Sequence, residues 1–385
     1  MPEKRTQTRM FRFDQMAVQV KDKIDNPAEA DVDRYVGLEH IDPGSLKIRR
    51  WGKTTDVESS KIIFKAGDII FGKRRAYQRK LAVADFDGIC SAHAMVLRPK
   101  TDVVLREFLP FFMQSDIFMD RAVKISVGGL SPTINWRDLA KEAFALPSLE
   151  EQRRIAEVLQ ATELDINALR KVTDRSRTLR EAALKHFFPV SQPLWQVDQQ
   201  TVLEKIVDTI IDYRGRTPTK TESGIPLITA KNVRVGYVDI EPREFIAEDQ
   251  FDAWMTRGLP AVGDILFTTE APLANIAMAP DYKFAMAQRV LLLRAAPAHV
   301  LSRFLYWMLQ GPWMRRQIFS RATGSTAKGI KQSSLRQIPV LLPRLDTQKA
   351  ISEALDAIGQ SLDAAVERIE TARAIRSALM RGIFS

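Results

Sequence analysis

Leu146-Pro147-Ser148-Leu149-Glu150-Glu151-Gln152-Arg153-Arg154-Ile155-Ala156 is the stretch that orders the rest of this 385-residue chain. A weaker copy, Leu342-Pro343-Arg344-Leu345-Asp346-Thr347-Gln348-Lys349-Ala350-Ile351, stands 196 residues later. At that same offset Gly67-Asp68-Ile69-Ile70-Phe71 meets Gly263-Asp264-Ile265-Leu266-Phe267 with no gap between. Over 105–159 against 301–355, 14 of 55 positions are identical, where composition alone gives about three. A repeat of this length means one fold used twice. Upstream of Gly67 the register changes: Tyr35–Ile41 overlays Leu227–Val233 at an offset of 192, so that portion has diverged.

On either side of each Leu-Pro pair the texture differs. Before the first, short β-branched or apolar runs such as Lys61–Lys65, Asp68–Phe71 and Ala94–Arg98 alternate with Gly and Asp turns, the pattern of a mixed, strand-dominated globule. After it, residues 148–188 contain no Gly or Pro and are rich in Glu, Arg, Ala and Leu. Ser148 and Glu151 stand at the spacing of a capping box, which satisfies otherwise free amide donors. The pattern predicts one helix of about 39 residues, about 58 Å long at 1.5 Å per residue. Its stripe Ile155, Leu159, Thr162, Ile166, Leu169 alternates steps of four and three, and Ile351, Leu355, Ile358, Leu362, Ala365, Ile369, Ala372 keeps the same rhythm. Such a stripe on one short helix packs on its own globule. Two long copies, each following a globule, point instead to mutual antiparallel pairing as a coiled coil, with the globules at opposite ends. Pro189-Val190-Ser191-Gln192-Pro193 stops the first helix and lets the chain turn back.

The fold class expected is therefore α+β: two tandem α/β domains, each followed by a long helix. The segments expected are a first globule at 1–147, a spacer helix at 148–188, a linker at 189–200, a second globule at 201–343 and a C-terminal helix at 344–385.

Charge is unevenly spread. There are 57 Lys and Arg against 47 Asp and Glu, a formal net charge of +10, which favours anionic partners. Lys61, Lys65, Lys73, Arg74, Arg75, Arg79 and Lys80 crowd one stretch against the single acid Asp68, with Tyr77 among them. From Leu301 to Arg336 stand Arg303, Arg315, Arg316, Arg321, Lys328, Lys331 and Arg336 with no acid. Arg214, Arg216, Lys220, Lys231 and Arg234 open the second globule against Glu222 alone. Cations in this density neutralise phosphates and release counterions, while Arg forks and Asn or Gln amides read guanine and adenine edges. A solvated basic face is the plain alternative for any single cluster, but the clusters recur in both copies. Gly128–Thr133 and Gly324–Gly329 occupy matching positions beside them and can offer backbone donors to phosphate.

Chemistry of the chain's own finds little support. The single Cys90 excludes an intrachain disulfide and a thiolate cluster, and His40, His93, His186 and His299 are scattered without an HxxxH spacing, so no metal or cofactor is expected. Cys90 with His93 lies in an apolar run, where a buried thiol is the default. Gly324–Lys331 lacks the Lys-Ser/Thr ending of a phosphate loop. Asp264 and Glu270 evoke a metal nuclease, yet Ala271-Pro272 follow where a lysine is wanted, and a strand end with its loop is the simpler reading. No stretch reaches 18 apolar residues, and MPEKRTQTRMFRF lacks the apolar core of a signal peptide, so a cytoplasmic protein with no membrane attachment is expected.

The duplicated basic globule with its long helix resembles the specificity subunit of type I restriction-modification systems over essentially the whole chain. The residues 146–156 carry the resemblance most specifically. Gly67–Phe71 with Lys73-Arg74-Arg75-Ala76-Tyr77, and Gly215-Arg216-Thr217-Pro218 followed by Gly224–Ile228, support it. The resemblance implies a non-catalytic subunit with two target recognition domains, each reading half of a split, asymmetric site in double-stranded DNA. It also implies paired helices that act as ruler and as dock for two methyltransferase subunits, through which restriction subunits join. Half-sites on one face of a duplex lie about 34 Å apart. DNA contact is then expected at Lys73, Arg74, Arg75, Arg79 and Lys80 in the first copy, and at Arg214, Arg216, Lys231, Asn232, Lys328 and Lys331 in the second. The competing reading is a structural adaptor whose basic faces bind acidic proteins.

Overall fold

Two helices of equal length follow the two Leu-Pro pairs: Leu149–Phe187 and Leu345–Ile383, 39 residues each. The computed structural model describes residues 8–191, 193, 195–215, 217–325 and 327–384; Met1–Gln7, Gln192 in the linker and Arg216 in the second basic cluster lie outside the described residues. In the first helix Ser148 Oγ accepts from the Glu151 amide at 3.3 Å, the expected cap. The equivalent position in the second copy is Arg344, which has no acceptor to offer, although its carbonyl takes the Gln348 amide as the Ser148 carbonyl takes that of Gln152. Leu159, Ile166 and Leu169 on one helix and Ile351, Leu355, Leu362, Ala365 and Ile369 on the other are buried, so the stripe read from the sequence faces protein.

Contacts divide the chain into two units, residues 1–171 with 365–385 and residues 172–364. The divisions fall inside both long helices, and each unit contains part of each, whereas the sequence suggested whole-helix segments.

In the first unit an antiparallel sheet orders Ala17–Val20, Ala94–Pro99, Ile69–Gly72 and Leu81–Val83. Arg9–Arg12 pairs with Ala143–Leu146, tying the chain start to the Leu-Pro corner. A five-stranded sheet runs Lys23–Ile24, Lys61–Phe64, Gly88–Cys90, Arg34–Val36 and Gly52–Lys53, with Arg34–Val36 parallel to Gly88–Cys90. The short helices Leu109–Gln114 and Asp116–Lys124 close the core. There Phe13, Phe71, Phe112, Phe118 and Phe144 meet at centroid distances of 5.3 to 6.2 Å, in the tilted and edge arrangements aromatic rings favour.

The second unit repeats the plan. Val207–Asp212, Val290–Ala295, Ile265–Thr268 and Ile276–Met278 form the antiparallel sheet, and Gln199–Val202 pairs with Pro339–Leu342. The parallel pair survives the upstream register change: Val36 pairs in parallel with Cys90, and Ile228 with Met286. Here the companion sheet has three strands, Phe245–Ile246, Ile225–Ile228 and Ala285–Met286. After the first long helix, Phe188 is buried against Phe304 at 5.4 Å. Gly311 permits this, since a Cβ there would lie 2.5 Å from that of Phe188.

Candidate nucleic-acid interface

Each unit builds a three-loop knuckle at the end of its antiparallel sheet, and Lys73, Arg74 and Arg75 stand on the first and Lys328 and Lys331 on the second. In the first unit the chain leaves Ile69–Gly72 through Lys73, Arg74 and Arg75. The Lys73 and Arg74 amides donate to the His93 carbonyl at 3.1 and 3.3 Å, and Ile134 donates to the Lys73 carbonyl at 3.0 Å. Val127 and Thr133 exchange two backbone bonds around the glycine loop. Arg75 has φ 55°, a left-handed backbone costly for a non-glycine residue; its amide bond of 2.7 Å to the Pro132 carbonyl fastens the two loops there. The Arg74 guanidinium donates to His93 Nε2 at 3.1 Å and to Ser131 Oγ at 3.3 Å, and Arg75 Nε reaches the same hydroxyl at 3.2 Å.

The electrostatics follow from this crowding. Burial, then the charges of Arg74 and Lys73, hold His93 below its usual range, consistent with an Nε2 that accepts a hydrogen bond. Burial, then repulsion from Lys23, lowers the Lys73 ammonium. Beneath the loop Cys90 is fully buried, and burial pushes its thiol up to about 12; it stays protonated and inert.

Other members of the first cluster are engaged by partners within their own unit. Lys61 is buried with its ammonium on Ser59, and Lys65 pairs with Asp87 at 3.1 Å. Arg79, also left-handed at φ 53°, pairs with Asp116 at 2.5 Å and donates to the Gln114 carbonyl. Lys80 Nζ donates to the Leu38 carbonyl at 2.6 Å. The two therefore brace neighbouring loops.

In the second unit Lys231, Lys328 and Lys331 are exposed, with no ion-pair partner among the described residues. Arg214 is exposed beside Asp212, whose carboxylate accepts the Arg214 amide at 2.8 Å. Asn232 has no amide position left for a base. It is 4% exposed, its Oδ1 accepts from Thr229 N at 3.0 Å and Thr229 Oγ1 at 2.8 Å, and its Nδ2 donates to the Asp239 and Pro242 carbonyls at 3.0 and 3.1 Å. It shapes the loop that presents Lys231. Lys220, Arg234, Arg303 and Arg336 are paired with Glu244, Asp239, Asp356 and Glu204.

Sequence reasoning missed Arg289, weighed His93 only as a partner of Cys90 and Ser131 only as part of a glycine loop, and set Glu270 aside as a loop residue. Asp264 is a buried turn anchor: its carboxylate takes both Nε and Nη2 of Arg294, at 2.8 and 2.7 Å. Asp68 and Arg98 repeat the arrangement at 2.8 and 2.9 Å. Among the described residues no group of three or more His, Cys, Asp and Glu could hold a metal ion, and no helix is long and apolar enough to cross a membrane.

Comparison with known proteins agrees with this arrangement. The sequence profile described as "Type I restriction modification DNA specificity domain" matches residues 34–174 and 218–371, one match in each copy of the repeat. A curated relative from Methanocaldococcus jannaschii, the putative type I restriction enzyme MjaX specificity subunit, is 24% identical over 380 residues, covering 90% of this chain and 83% of that one. The Escherichia coli type I restriction enzyme EcoDI specificity subunit is 32% identical over 147 residues; that match spans 38% of this chain and about a third, 32%, of the relative. The solved structure of a type I restriction-modification S subunit from M. genitalium is similar in fold, with a TM-score of 0.67 at 15% identity, covering 100% of this chain and 98% of that one.

Proposed function

The chain belongs to the type I restriction-modification DNA specificity family, and we propose that each of its two units reads one half of a bipartite, asymmetric DNA site. A specificity subunit of this family is not itself the catalyst; it binds DNA and assembles with modification and restriction subunits. The observation that carries the finer reading is the recurrence of the knuckle: three corresponding loops, joined by the same two backbone bridges and by the bonds of Lys73 and Thr269, end the antiparallel sheet in both units. In the first, Lys73, Arg74 and Arg75 would meet phosphates and base edges. In the second, Lys328 and Lys331 of the glycine loop, together with Arg214 and Lys231 and, from the sequence, Arg216, would do so. Arg79, Lys80 and Asn232 would hold loops in shape.

The two long helices, on this reading, pair antiparallel as a coiled coil and set the half-site spacing while docking two methyltransferase subunits. Contacts within each unit support the pairing. In the first, Glu163 on one helix meets Arg376 on the other at 3.2 Å, and Phe384 joins the core that also takes in Ile155 and Ala156. In the second, Leu184 and Phe187 share a core with Ile351 and Leu355.

The test is to map methylated bases in DNA from cells carrying this chain with its methyltransferase, then to replace residues 1–147 by the first globule of another such chain. A split motif in which only one half changes is the expected result. A motif that changes in both halves would overturn the assignment of one half-site to each unit, and binding that ignores DNA sequence and follows acidic proteins instead would favour the adaptor reading.

A further inference from the structure

The two knuckles share a backbone and differ in charge at one position. At the 196-residue offset Arg74 corresponds to Glu270, His93 to Arg289 and Thr133 to Gly329. The bonds made by Lys73 and Thr269, and those closing the glycine loop, correspond. Lys73 N to His93 O is 3.1 Å, and Thr269 N to Arg289 O is 2.9 Å; Ile134 N to Lys73 O is 3.0 Å, and Ile330 N to Thr269 O is 2.9 Å. Arg74 bridges Thr133 as Glu270 bridges Gly329, and the next residue is left-handed in both, Arg75 at φ 55° and Ala271 at φ 46°.

On this common frame the side chains are opposite. The first unit presents Lys73, Arg74 and Arg75 around His93. The second has Thr269, Glu270 and Ala271, with Glu270 Oε1 on Arg289 Nε at 2.7 Å. Both partners of that pair are substantially exposed, at 40% and 52% of their side chains. Gly329 clears the space for the carboxylate, since a Cβ there would lie 3.2 Å from Glu270 Oε2. A position that tolerates either sign of charge without altering its backbone is not chosen for folding.

We infer that residues 74 and 270 are equivalent base-reading positions, and that their opposite charges make the two half-sites differ. The inference rests on the DNA-reading function proposed above. Arg74 offers a donor fork, which suits the O6 and N7 acceptors of guanine; Glu270 offers an acceptor, which suits an exocyclic amino group of cytosine or adenine in the major groove. Arg289 neutralises the carboxylate that would otherwise be repelled by phosphates. At position 93 of the first unit no such counter-charge is needed.

The experiment uses the complete complex with its methyltransferase subunits and compares the unvaried chain with Glu270→Arg/Arg289→His, which transplants the first unit's pair into the second. Methylated sites are mapped in cells, and binding of the purified complex to the parental duplex is measured. One base pair in one half-site should change, with the other half untouched, and affinity for the parental duplex should fall by about 5- to 150-fold. Retention of the parental motif at parental affinity would overturn the inference. Glu270→Ala, which leaves every backbone bond of the loop in place, serves should the double variant not fold. Relaxed preference at a single base pair supports the inference, and an unrelaxed motif overturns it. A selective complex indifferent to residue 270 would sink this assignment alone, whereas an unvaried complex with no base preference would sink the function beneath it.

Discussion

Gln152 and Gln348 show how much of the fold two identical residues can carry. Gln152 Oε1 accepts from Leu105 N at 2.9 Å, and its Nε2 donates to the Val103 and Pro147 carbonyls at 3.2 and 3.0 Å. Gln348 does the same with Leu301 N at 3.0 Å and with the His299 and Pro343 carbonyls, each at 2.9 Å. Both are 1% exposed, so each locks the start of a long helix onto its globule. Gln152→Ala and Gln348→Ala should each cost about 1–3 kcal/mol, because the backbone groups left behind stay buried without partners; chemical denaturation of each variant checks this. Cys90 supplies a pH test. Its thiol is raised from 9.0 to about 12 by burial, so the folded state keeps the proton that the unfolded chain releases. Stability from this group is full below pH 9 and declines as pH rises from there toward 12. Thiol reagents at pH 8 should leave Cys90 unmodified until denaturant unfolds the chain; rapid labelling of the native protein would contradict its burial. The identity of Gln152 and Gln348 was legible in the repeat. The commitment of Asn232 to four loop bonds was not, because an Asn that closes a loop and one that reads adenine look alike until their neighbours are known.

The long helices illustrate the same division at the scale of elements. The extent of the first was readable from its capping residues and its lack of Gly and Pro, and that of the second, which carries Gly359 and Gly382, from the repeat and its apolar stripe. Ser148→Ala should cost about 1 kcal/mol, and Arg344→Ser should stabilise the second helix by about 0.5–1 kcal/mol by installing the cap its copy already has; thermal melts of the two single variants would show shifts of opposite sign. Strand order was not readable. The parallel pairing of Val36 with Cys90 joins segments more than fifty residues apart, and no local pattern states which apolar run becomes the neighbour of which. The partners of the clustered cations were unreadable for a related reason. Seven cations within twenty residues divide between the knuckle, surface ion pairs and backbone or hydroxyl acceptors, since neighbouring residues leave a strand in different directions.

At the scale of the whole molecule, the end of the chain completes the first unit. Arg376 is 9% exposed, donates to the Gly44 carbonyl at 2.6 Å and bonds Gln114, while Glu163 balances its charge at 3.2 Å. Burial lowers the Arg376 guanidinium and Glu163 opposes that shift. Arg376→Met leaves Glu163 as a buried charge without its counter-ion and should cost about 3–5 kcal/mol, whereas Glu163→Leu with Arg376→Met should recover most of the loss. Unfolding curves for the single and double variants test it; equal losses would show that the pair matters through packing. The sequence alone determined the duplication, the two helices and the cationic character of the chain, because repeats, helix signals and charge are properties of residues near one another along the backbone. The tertiary structure alone decided which cations remain free, that Asn232 is a loop anchor, and that Glu270 pairs with Arg289 where Arg74 meets His93. Those facts depend on which distant carbonyls and carboxylates folding brings within hydrogen-bond reach.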